Sequence, residues 1–80
     1  MRLDKYLKVS RLIKRRSVAN MACDAGRVTV GGKTARASYE VKIGDIIEMR
    51  MGERFVKAEV LAVSESTKKE DAGLLYKIIE

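Results

Sequence analysis

The chain has 80 residues, with no proline, histidine or tryptophan and one cysteine, and its 17 lysines and arginines against 11 aspartates and glutamates give a net charge of +6. That length predicts one domain, spanning 1–80, near the small end of what an apolar core can hold, and a second, catalytic domain does not fit it; the 46% hydrophobic content argues against wholesale disorder. Without histidine there is no imidazole base, no Ser-His nucleophile pair and no His-ligated metal.

Along the chain, Leu3, Tyr6 and Leu7 fall at i, i+3, i+4 and predict one apolar side of a short helix. Tyr6 sits with the leucines and reads as core, while Arg2, Lys5 and Lys8 recur every three residues on another side. Asp4 lies near the helix start, where it suits the macrodipole or pairs with a neighbouring arginine and fixes its direction. Leu12 and Ile13 anchor a connection through RLIKRR to a second helix, with Ser17 as its expected N-cap. Val18, Met21, Ala22 and Ala25 are its expected apolar face, and Gly26 its C′ residue. Cys23 has no second thiol for a disulfide or zinc knuckle and reads as a small buried side chain in a reducing compartment.

After Gly26 the period changes. Residues 28–30 predict a strand, Gly31-Gly32 a two-residue turn and Lys33-Thr34-Ala35 the returning strand. Gly44-Asp45 opens a strand over Ile46–Met51, and Gly52-Glu53 reverses it. Val56, Ala58, Val60 and Ala62 then alternate with Lys57 and Glu59. Ser64–Gly73, whose Lys68-Lys69 is followed by Glu70-Asp71, is expected to be a surface loop, and Leu74–Ile79 a closing strand. The fold class is α+β: two short N-terminal helices on a small, mostly antiparallel sheet. A charged start leaves no apolar secretory segment, and no run nears the roughly 18 apolar residues of a membrane span, so a soluble cytoplasmic protein without membrane contact is expected.

Charge is unevenly placed. Residues 1–40 hold 10 basic and 3 acidic groups, and residues 41–80 hold 7 and 8. A basic block inside an apolar periodic pattern is a surface aimed at polyanions. Arg15 and Arg16 would continue the basic residues of the first helix, and Arg27, Lys33 and Arg36 would extend them around the hairpin. If about five of these groups each neutralise a phosphate, affinity falls by roughly two to three powers of ten between 50 and 200 mM salt. One phenylalanine and three tyrosines are too few for a platform of stacked bases, so the backbone shape of a folded RNA is the favoured target. A helix-turn-helix over residues 3–25 fits poorly, because its arginines precede the second helix. Neither paired carboxylates nor a phosphate-cradling glycine loop points to an enzyme, and no cofactor is implied.

Several spaced elements carry a family resemblance: Arg2-Leu3-Asp4, Arg11-Leu12, Arg15-Arg16-Ser17, Gly26-Arg27-Val28, Gly32-Lys33, Ser38 and Gly44-Asp45. Across residues 2–50 the chain resembles the RNA-binding module named after small-ribosomal-subunit protein four, the S-four domain, with 51–80 as strands completing the sheet. It departs at Gly31, where the family often has asparagine; both residues accept a positive φ. The resemblance implies an RNA-binding face of two helices and hairpin, with contacts from Arg2, Lys5, Lys8, Arg11, Arg15, Arg16, Arg27, Lys33 and Arg36, and with Asp4 orienting or contacting. The chain's size and ending resemble the small stand-alone bacterial members that act in ribosome-associated quality control. That resemblance implies as partners large-subunit rRNA, peptidyl-tRNA, an obstructed large ribosomal subunit and the factor that adds alanine tails; off the ribosome, a monomer is expected. A heat-shock-type relative that recycles large subunits carrying peptidyl-tRNA is the alternative.

Overall fold

Leu3, Tyr6 and Leu7 have no exposed surface, and their stripe defines α1 (Leu3–Val9). The computed structural model describes residues 1–64 and 69–79. The start of α1 is tied down by the 37–41 segment: Leu3 N–H donates to Tyr39 O (2.7 Å), Asp4 N–H to Ala37 O (3.2 Å), and Val41 N–H to Met1 O (2.9 Å). From inside the core, Tyr6 Oη donates to Leu75 O at 2.6 Å, joining the first helix to the end of the chain. Arg11 takes a positive φ of 64° just after α1, and Ile13 N–H returns to Leu7 O. This fold-back buries Ile13 as the anchor the sequence predicts.

Helix α2 (Arg16–Asp24) departs from expectation at two points. Its N-cap is Arg15, already extended at φ −121°, and Ala19 N–H bonds to Arg15 O, so Ser17 lies inside the first turn and caps nothing. Its buried face is Ala19, Ala22 and Cys23; Val18 (38% exposed), Met21 (69%) and Ala25 turn outward. Small side chains let α2 approach α1 closely, and that proximity outweighs the greater hydrophobicity of valine and methionine. Gly26 ends the helix as C′ at φ 78°: its N–H bonds to Cys23 O and that of Arg27 to Ala22 O, both at 3.0 Å, a Schellman closure.

β1 (Val28–Val30) and β2 (Lys33–Thr34) form the predicted hairpin, with Gly31 and Gly32 both at positive φ as a type I′ turn requires. Ala35 falls just outside β2 but still donates to Val28 O. β3 (Ile46–Met51) matches its expected bounds, and β4 (Arg54–Val60) follows the reversal at Gly52. Ala62 lies beyond β4, its N–H on Leu75 O. The expected Ser64–Gly73 loop is in part a short 3₁₀ helix (Lys69–Leu74) with Ala72 buried; positions 65–68, Lys68 among them, lie outside the described residues. The closing strand β5 is shorter than predicted (Tyr76–Ile78), because Leu74 belongs to the 3₁₀ helix and Leu75 turns into the core.

The five strands form one antiparallel sheet in the order β2-β1-β3-β4-β5. Period-two alternation gives it two faces. Val28, Ile47, Met49 and Val60 join the helices in the core, while Thr29, Glu48, Arg50, Phe55 and Lys57 lie on the opposite face. No helix among the described residues is long and apolar enough to cross a membrane.

Candidate nucleic-acid interface

Asp4 organises the N-terminal surface. It is 2% exposed, and donors surround its carboxylate. Arg2 reaches it with both arms of its fork, Nε to Oδ1 at 3.2 Å and Nη2 to Oδ2 at 3.3 Å. Arg16 Nη2 donates to Oδ1 at 3.4 Å, Asn20 Nδ2 to Oδ2 at 3.2 Å, and the Lys5 amide to Oδ1 at 2.8 Å. Burial alone would raise the Asp4 pKa, but donation from Arg2, Asn20, Arg16 and the Lys5 N–H outweighs it and holds the group near 2. The acid therefore stays ionised across physiological pH.

This arrangement aims the arginines. Their side chains remain 50% and 47% exposed, so each guanidinium is fixed by the carboxylate on one side and offers its remaining donors to solvent. Such a fork binds phosphate oxygens in pairs. Arg2, Lys5 and Arg16 line a hollow of about 390 Å³ with Met1, Ser38 and Glu40, and Arg16 also lines the adjoining hollow of Asp4, Ser17, Asn20 and Met21. Lys8 is exposed one helical turn beyond Lys5, on the same side of α1.

The other predicted residues are dispersed. Arg11 and Arg15 line a separate cleft of about 600 Å³ with Lys14 and Arg54, floored by Leu12, Val18, Met49, Met51 and Val56. Arg27 lies beside Arg50 and Phe55 on the outer face of the sheet. Lys33 is exposed on the edge strand β2, and Arg36 follows it, where Ala37 N–H approaches Asp24 Oδ1 at 3.5 Å. Asn20 escaped the sequence reading; its i+4 spacing from Arg16 on one helix face was the available signal. Cys23, 2% exposed, has its thiol pushed up to about 11 by burial and by the charges of Asp4 and Asp24, so it stays protonated. Among the described residues, no group of three or more His, Cys, Asp or Glu side chains is placed to hold a metal ion.

The S4 domain family matches residues 1–47, which contain both helices, the hairpin and the whole Asp4 cluster. The chain belongs to the S4-domain family. It is 52% identical over 79 residues to the RQC P-site tRNA stabilizing factor of Streptococcus pneumoniae, covering 99% of this chain and 90% of the relative. Identity to the Bacillus subtilis protein of the same name is 48% over 80 residues, covering 100% and 93%. Among solved structures, the trimeric Vibrio cholerae heat shock protein 15 superposes with a TM-score of 0.90 at 32% identity, covering 98% of this chain and 80% of that one. The likeness to that structure extends past residue 47 into β4 and β5.

Proposed function

We propose that the chain is a non-enzymatic RNA-binding factor of the obstructed large ribosomal subunit, where it holds large-subunit rRNA and the tRNA of the stalled chain and so assists elongation of the alanine tail. The Asp4-ordered pair of arginines carries this reading: two guanidiniums preset for phosphate need no ordering on contact. Arg2, Lys5, Lys8 and Arg16 are the proposed phosphate contacts, Asp4 and Asn20 position them, and Lys33 and Arg36 extend the surface along the hairpin. The names of the relatives supply the tRNA and the quality-control setting.

Sedimentation of tagged protein tests the reading. The wild-type chain is expected to travel with large subunits, and exclusive recovery in ribosome-free fractions would overturn it. Arg16→Ala is expected to weaken subunit association about tenfold while the domain stays folded, because a half-exposed arginine contributes little to the core. Likeness to heat shock protein 15 favours a second reading, recycling of large subunits that carry peptidyl-tRNA. Alanine-tail length in cells lacking the protein separates the two: tails shorten under the first reading and are unchanged under the second.

A further inference from the structure

On the outer face of the sheet, three residues the Asp4 cluster does not use stand in one cross-strand row. Arg50 pairs with Phe55 in the β3–β4 register, and Arg50 N–H donates to Arg27 O at 2.9 Å, placing Arg27 opposite it on the other side. Side chains directly opposite one another in such a row lie within contact distance. Phe55 is 53% exposed, the one exposed ring among the chain's four aromatic residues. Neither Arg27 nor Arg50 forms an ion pair among the described residues. Of the two strand acids on this face, Glu48 is balanced by Lys57, whose Nζ lies 3.5 Å from Oε1, and Glu59 stands two residues beyond Lys57, opposite Lys77 in the β4–β5 register.

The row borders a depression of about 360 Å³ lined by Arg27, Thr29, Glu48, Arg50 and Phe55, a volume in the range of small-ligand sites. Thr29 Oγ1, in that lining, is buried without a hydrogen-bond partner among the described residues. Orphaned buried hydroxyls are uncommon in folded proteins and call for an explanation.

We propose that this depression is a second RNA contact, binding one unpaired nucleotide with its base stacked on Phe55 and its flanking phosphates on Arg27 and Arg50. A lone ring gives no platform for a strand, but it serves a single base, because every base has a π-face. Two guanidiniums beside the ring, without an ion pair among the described residues, supply the charge an RNA backbone requires. The inference rests on the chain being RNA-binding but not on the Asp4 cluster, since the two sites share no residue.

Titration of the ¹⁵N-labelled full chain with a single-stranded hexa-adenylate, followed by NMR, tests it. Saturable shifts are expected at the amides of Arg27, Thr29, Arg50 and Phe55, in the wild type and equally in Arg16→Ala. Phe55→Ala is expected to weaken these shifts about tenfold or more, and Phe55→Tyr, which keeps the ring, to preserve them. Arg50→Gln, a solvent-side change that leaves the core intact, is expected to lower affinity severalfold. The proposal is overturned if those amides do not respond, if Phe55→Ala binds like wild type, or if hexaglutamate shifts the same amides at equal concentration, which would mark a site for acidic protein segments. Failure of the RNA-binding reading itself would appear separately, as exclusive recovery of the chain in ribosome-free fractions on sedimentation.

Discussion

A carboxylate with almost no exposed surface is stable as an anion only where donors replace the water it has lost. Among the described residues Asp4 has five such hydrogen bonds, two from Arg2 and one each from Arg16, Asn20 and the Lys5 amide. Because its folded pKa of about 2 lies below the ordinary 3.8, the ionised form stabilises the fold above pH 4, and that contribution is lost as pH falls from about 4 to 2. Screening around two half-exposed arginines limits it to about 1 kcal/mol. Asp4→Asn keeps the side-chain size and removes the charge, so its stability should change less than the wild type's over that pH interval. Urea unfolding at pH 7 and pH 3 measures this, and equal acid sensitivity in the two proteins would refute it. At pH 7 the same variant should bind RNA roughly tenfold more weakly, since both arginines lose the group that directs them.

At the scale of elements, α2 shows what governs its packing. Ala19 has no exposed surface, whereas Met21 is 69% exposed. Ala19→Leu should therefore destabilise by about 1–3 kcal/mol through overpacking against α1, while Met21→Ala should change stability by less than about 0.5 kcal/mol. Thermal melts of the two variants check the pair, and a larger loss in the methionine variant would reverse the assignment of the faces. The sequence misleads here because two i, i+3, i+4 sets overlap on this helix, and hydropathy favours Val18 and Met21 over Ala19 and Cys23. Only the closeness of the partner helix chooses between them. Elsewhere local signals were sufficient: Gly26 and Gly31-Gly32 adopt the positive φ their positions demand, and Ile46–Met51 alternates as read. The shortened β5 was hidden because Leu74, Leu75 and Tyr76 are all apolar, while their placement depends on a 3₁₀ turn and on the Tyr6–Leu75 hydrogen bond, 69 residues apart.

For the whole molecule, the N-terminal excess of positive charge is divided among separate places, with Lys33 and Arg36 at the exposed hairpin edge. Some of it surrounds Asp4, some lines the cleft at Arg11 and Arg15, and Arg27 stands on the far face of the sheet. Arg15 and Arg16 are equivalent in sequence, yet the first is the extended N-cap residue and lines the cleft while the second begins the helix and reaches Asp4. A single run of RNA backbone following the Asp4 face meets Arg2, Lys5, Lys8 and Arg16, about four phosphate contacts. These four contacts by themselves imply a fall of about two powers of ten in affinity between 50 and 200 mM salt, and each further contact, at Lys33 and Arg36 or at Arg27 and Arg50, steepens it. Arg16→Ala should flatten the log-log salt slope by roughly one contact, and Arg15→Ala should leave it unchanged. Filter binding to large-subunit rRNA at four or five salt concentrations would resolve the two slopes. Equal flattening by both substitutions would mean that one strand of RNA spans the cleft and the Asp4 cluster together, and the division of the basic surface drawn from the fold would have to be given up.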